Sequence, residues 1–135
     1  MRSALLLVAV FVIVAAGCGG GGSPIYTAAA TAPCLKAKGF TEVTTNPLKV
    51  GFIASFATHG GLFAKAPGGN ALTFSFVDDS DAATATESAY REHAPASLRP
   101  HIQDIMEAKS NAVLVWTVSP SQDQLSAALG CLRSS

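Results

Sequence analysis

Apolar positions along this chain fall into short runs separated by turn-forming clusters, and their spacing predicts an element for most of them. Leu72, Phe74 and Phe76 alternate with Thr73, Ser75 and Val77, the period of a half-buried strand. Together with the run from Leu62 to Ala66 they flank Pro67-Gly68-Gly69-Asn70, a hairpin signal. Ala112 to Thr117 is a second strand-like run, entered through a turn at Ser110-Asn111. In the segment from Ala82 to His93, Ala82, Ala85 and Ala89 line one helical face with Tyr90 beside them, and Asp79 or Ser80 is placed to cap it. Leu125, Ala128, Leu129 and Leu132 form one face of a last helix. Ser119-Pro120-Ser121-Gln122 supplies its cap, first-position proline and capping-box glutamine.

Near the other end, Pro33 suits the first position of a short helix and Gly39 the residue after its end. Phe40 to Val43 is extended, and Thr44-Thr45-Asn46-Pro47 marks a turn. Two segments read both ways. Residues 49–57 are apolar without a clean period, and the reading leans to helix over buried strand. In 97–109, Leu98, Ile102, Ile105 and Met106 fit a helical stripe, yet a strand from Gln103 to Ala108 completes a second hairpin, which is preferred. The sum is an α+β fold: two layers, an antiparallel sheet of about four strands in two hairpins, and helices on one face.

The start of the chain has a different pattern. After Met1-Arg2-Ser3, residues 4–16 are an unbroken apolar run of 13 residues. As a helix the run would span about 20 Å, short of a hydrocarbon core of about 30 Å, which favours a secretory signal over a membrane span. It ends in Ala15-Ala16-Gly17 followed by Cys18. This segment resembles the lipobox of bacterial lipoproteins, although Ala15 stands where leucine is usual. The resemblance covers residues 1–18. It implies that the Cys18 thiol receives a diacylglyceryl group, and that cleavage makes Cys18 the new N-terminus. Two acyl chains hold a protein stably on a membrane, where one holds it only marginally. Competing readings are an uncleaved signal anchor and ordinary cleavage after Ala16 or Gly17. The division that follows is 1–17 signal peptide, 18–32 lipidated cysteine and Gly/Ser-rich tether, and 33–135 a single small domain. As a coil, the tether from Gly19 to Ala32 has a root-mean-square reach of about 20 Å.

Cysteine count bears on the same question. Cys18, Cys34 and Cys131 are the only three. Lipidation of Cys18 would leave Cys34 and Cys131 as one pair in an oxidising compartment, a disulfide between the first and last helices. A pair of buried free thiols is the other reading. Cys34-Leu35-x-x-x-Gly39 and the closing Gly130-Cys131-Leu132 also look like segments of small envelope lipoproteins of Ala-rich, high-GC bacteria. That resemblance implies no activity and no site residues.

Charge narrows the partners. Nine basic and nine acidic residues balance, and loss of Arg2 with the leader leaves a slight negative excess. There is no electrostatic footprint for nucleic acid and no polybasic patch for anionic lipid.

Candidate chemistry is sparse. His59, His93 and His101 have no neighbour at metal-ligand spacing, so neither a metal site nor a cofactor is implied. His59-Gly60-Gly61 resembles the oxyanion loop of some α/β hydrolases, but no Gly-x-Ser-x-Gly elbow accompanies it. Asp78-Asp79-Ser80-Asp81 lacks EF-hand spacing and reads as a helix cap. Neither Gly19–Gly22 nor Gly68-Gly69 fits a phosphate loop. Trp116, Phe52, Phe56 and Phe63 are expected in the core and would mean more if exposed together. No catalytic residue is assigned. The sequence therefore points to a non-enzymatic envelope module, held to the membrane at Cys18, that binds a protein, a wall component or a small ligand. The alternative is a small metal-dependent or hydrolytic enzyme, which needs His59, Asp79 or Asp81 to converge in one polar cleft.

Overall fold

The computed structural model describes residues 22–135, so the leader and Cys18 lie outside the described residues. In chain order the elements are α1 (Ala28–Ala37), β1 (Thr41–Thr44), α2 (Pro47–Ser55), β2 (Gly61–Lys65) and β3 (Ala71–Phe76). Next come α3 (Ser80–His93), a 3-10 turn (Arg99–His101) running into α4 (Ile102–Ile105), β4 (Met106–Lys109), β5 (Ala112–Trp116) and α5 (Gln122–Gly130). The fold is α+β. Its single sheet has the order β1-β2-β3-β5-β4, and every pairing is antiparallel. The two expected hairpins are β2–β3 and β4–β5, joined edge to edge by β3 and β5. A fifth strand, β1, is added outside β2 from the stretch read as extended.

Directly paired residues share a sheet face, so the register sorts the core. Leu62, Ala64, Leu72, Phe74, Phe76, Ala112, Leu114 and Trp116 lie on one face, and all are buried. Helices α1 and α5 cover this face, and Leu35, Ala128 and Cys131 are sealed with it. On the other face lie Gly61, Thr73, Ser75, Val113 and Val115. There the Tyr90 hydroxyl of α3 is hydrogen-bonded to that of Ser75 at 3.0 Å, and α2 rests against β2. Helices thus pack on both faces of the sheet, where the sequence suggested one. An alternation of Leu72, Phe74 and Phe76 with Thr73 and Ser75 suggests a wet second face, but α3 brings a hydroxyl of its own to Ser75.

Closure of the first face is covalent. Cys34 in α1 and Cys131 at the end of α5 form a disulfide across 97 residues, with their Cα atoms 5.3 Å apart.

Several boundaries differ from the sequence reading. Helix α1 begins at Ala28, capped by the Thr27 hydroxyl, and Pro33 lies inside it. Alanine-rich sequence carries the helix through the proline, which removes only one intrahelical donor. The folded chain begins earlier still, because Tyr26 pairs with Ser134 and the Thr27 N–H donates to the Arg133 carbonyl. The region assigned to the tether up to Ala32 is therefore partly structured. Helix α5 is capped by Ser121 with a reciprocal capping box to Gln124, two residues beyond the position read from Pro120. In α3 the buried alanine is Ala83, and Ala85 is exposed. Of the two candidate caps it is Asp79 that accepts from the Ala82 N–H, at 2.8 Å, while Ser80 is the first helical residue. Residues 49–57 belong to helix α2 and its end. Both readings of 97–109 are partly present: helical turns run to Ile105, and the strand begins at Met106, later than Gln103.

Candidate binding groove

Two glycines set the geometry of α2. Gly51 has φ +82° inside the helix, which breaks it into two short turns and uses a conformation that side-chain-bearing residues avoid. Gly61 lies directly under Ala54, and a methyl group there would meet the Ala54 carbonyl oxygen at 2.5 Å. The absent side chain allows α2 to press its backbone onto β2. Val50 and Ala54 turn inward and are buried. Leu48 before the break, and Phe52 and Phe56 after it, turn outward and are 93, 81 and 75% exposed.

Beyond α2 the second face is not fully covered. Between α2, the end of α3, the 95–105 segment and β5 lies an open groove of about 640 Å³, a volume typical of small-molecule sites. Val50 and Ile53 form one wall, Ala94, Leu98, Ile102 and Ile105 the other, and Val115 lies at the base. Phe52 stands at the rim. Polar side chains are few: Tyr90, His93 and Thr117. Burial raises the Tyr90 pKa, and its hydrogen bond to Ser75 only partly opposes that, so the phenol is neutral at ordinary pH. Among the described residues no acid or cluster of bases lines the groove, so it suits an apolar ligand better than a charged one. Nearby, the indole N–H of Trp116, a buried residue, has no acceptor among the described residues.

Residues singled out from the sequence are not brought together. His59 lies 3.7 Å from Asp78 at the far end of the sheet from the 66–70 loop, and His101 is 3.8 Å from Asp104 on the 95–105 segment. His93 lines the groove without either of them. Asp79 caps α3. Among the described residues no three His, Cys, Asp or Glu side chains group so as to hold a metal ion. Phe52 and Phe56 are not core residues, contrary to the sequence expectation. They are exposed together, with ring centroids 5.0 Å apart. Trp116 is buried, as a core residue is.

Sequence reasoning missed the groove, because its walls come from four separated segments. It also missed Asn111, read only as a turn residue. This fully buried side chain accepts from the Tyr26 N–H and donates to the Tyr26 and Val77 carbonyls. It ties the incoming chain to the β4–β5 hairpin. An asparagine beside a turn was the available signal, but its partner lies 85 residues away. No helix among the described residues is long and apolar enough to cross a membrane. No family model, curated protein or solved structure matches this chain.

Proposed function

We propose that this protein is a lipid-anchored, extracytoplasmic binding module of the cell envelope, and that its groove receives an apolar small molecule. The observation that carries the reading is the groove itself: about 640 Å³, lined by aliphatic and aromatic side chains and free of acids. Reactions need a nucleophile, base or metal held against the substrate, and His93 and Tyr90 alone make no such arrangement. The address rests on the lipobox-like segment ending at Cys18 and on the Cys34–Cys131 disulfide, a bond typical of oxidising compartments.

A native mass spectrum of the protein extracted in mild detergent from its own host's membranes tests the address. A chain beginning at Cys18, carrying acyl groups and lacking two hydrogens, is the expected species. A mass starting at Met1, or a mature chain without lipid, removes the anchor. For the groove, titration with Nile red, a neutral apolar dye, should show saturable binding with blue-shifted emission. Leu98→Glu, at a half-exposed position on the groove wall, should weaken that binding at least about tenfold while leaving the fold intact. Equal dye affinity in both proteins would exclude the groove as the binding site.

A further inference from the structure

We infer that the exposed ridge of α2 seats in the interfacial zone of the bilayer, so that the groove opens onto lipid. This rests on the proposed anchor at Cys18. Phe52 and Phe56 are exposed at the end of α2 with their rings touching edge to face, and Leu48, before the break at Gly51, is exposed as well. Contiguous apolar surface of this kind on a small soluble domain marks an interaction site.

The path of the incoming chain says what meets it. The Ala28 N–H donates to the His59 carbonyl at 3.1 Å, and His59 follows Phe56 by three residues, a separation of about 11 Å at most. Four residues earlier, across a non-helical stretch, the Pro24 carbonyl accepts from the Ser110 hydroxyl, which fixes the point where the chain leaves the domain. That point lies at the end of the sheet where α2 finishes. Only five residues lie between Cys18 and Pro24, and whatever their conformation the six steps span about 20 Å at most. Acylation at Cys18 would therefore keep this end of the domain within about 20 Å of the headgroups, and the Phe56 end of the ridge lies at the same end of the sheet, since Ala112 pairs with Phe76 and the Phe76 N–H donates to the Gly60 carbonyl. Interfacial apolar side chains sink about 5–10 Å below the headgroups, a depth that exposed leucine and phenylalanine side chains can reach.

Charge agrees with an apolar seat. Lys49 lies beside the ridge, with Glu42 at 3.8 Å, and Glu42 also bonds Lys65 at 2.7 Å. Two lysines share one carboxylate, so the flank carries a single net positive charge, and seating should depend only weakly on anionic lipid or salt. Phe52 belongs to both ridge and groove rim. Seating the ridge brings the groove mouth to the bilayer, so an apolar ligand can enter from lipid without crossing water.

The test uses the full chain, expressed with its leader in its host and reconstituted in phosphatidylcholine vesicles with or without acyl-brominated lipid. Phe52→Trp places an indole on the ridge at an exposed position. Asp123→Trp, on exposed α5 at the opposite face, is the control, and the native Trp116 is buried and constant in both. Brominated lipid should quench the indole introduced at 52 at least about twofold more than that at 123, both with and without phosphatidylglycerol. Equal quenching at both positions overturns the seating. So does an indole at 52 that is unquenched but blue-shifts as protein concentration rises, which would assign the ridge to a second copy of the chain. The mass of the same preparations reports acylation of Cys18 separately, so loss of the anchor and loss of the seating are read independently.

Discussion

The two faces of the sheet solve the same problem differently. One is closed: eight strand residues lie under α1 and α5, which are tied by a disulfide. The other is half closed, because α2 is broken at Gly51 and α3 ends before it covers Val115. The disulfide-closed core lies on the first face and the open groove on the second. A small domain has little core to spare, and sealing one face by a cross-link leaves the other free to expose apolar side chains.

The largest expected effect tests the covalent closure. Replacing Cys34 and Cys131 by serine, or reducing the bond, should lower unfolding stability by about 4–5 kcal/mol on the chain-entropy view of a loop this long, measured by urea unfolding with and without reductant. A loss below about 1 kcal/mol would mean that the closed face is held by packing alone.

Next in size is a matched pair of phenylalanines. Phe74→Ala on the closed face should cost about 3–5 kcal/mol, whereas Phe52→Ala on the open face should stay within about 0.5 kcal/mol of wild type. Similar losses at the two sites would erase the distinction between the faces.

Gly61→Ala probes the contact that holds α2 down. The Ala54 backbone must move to admit the methyl group, so the variant should lose about 1–3 kcal/mol. It should also change Nile red binding, because Val50 and Ile53 move with the helix. A variant of unchanged stability and dye affinity would show that α2 is not braced at this point.

The smallest effect is pH-dependent. Burial favours the neutral Tyr90 phenol, so the folded state keeps its proton above the ordinary value of 10.0. In this range the folded protein binds more protons than the unfolded chain. The stability contributed by the group is therefore complete below about pH 10 and is lost as the pH rises through the raised folded value. Urea midpoints between about pH 9 and pH 11 should fall less in Tyr90→Phe than in wild type. Equal slopes would place Tyr90 in water and leave the open face without its one buried hydroxyl pair.

Local signals carried much of this fold. The alternation in Leu72, Phe74 and Phe76, the Gly-rich 67–70 loop and the Ser110-Asn111 turn act over a few residues, and both hairpins follow from them. Helix boundaries were less legible. Pro33 and Pro120 are compatible with a first helical position, but Thr27 and Ser121 offered better-placed hydroxyls to the free N–H groups. In α3 an alanine stripe does not distinguish inward from outward positions, since alanine fits either. The site was hardly legible at all. Phe52 and Phe56 have the spacing and composition of core residues. The break at Gly51 and the seating of Ala54 over Gly61 turn them outward.

The sequence by itself determined the two hairpins and their turns, the α+β class and the pairing available to Cys34 and Cys131, because these depend on local periodicity and on a count. Tertiary structure decided that both sheet faces carry helices, that α2 is pressed down at Gly61, and that an apolar groove remains beside it. Those features depend on contacts between residues far apart in the chain, such as Ser75 with Tyr90 and Asn111 with Tyr26, and on volumes left between elements that no single segment encodes.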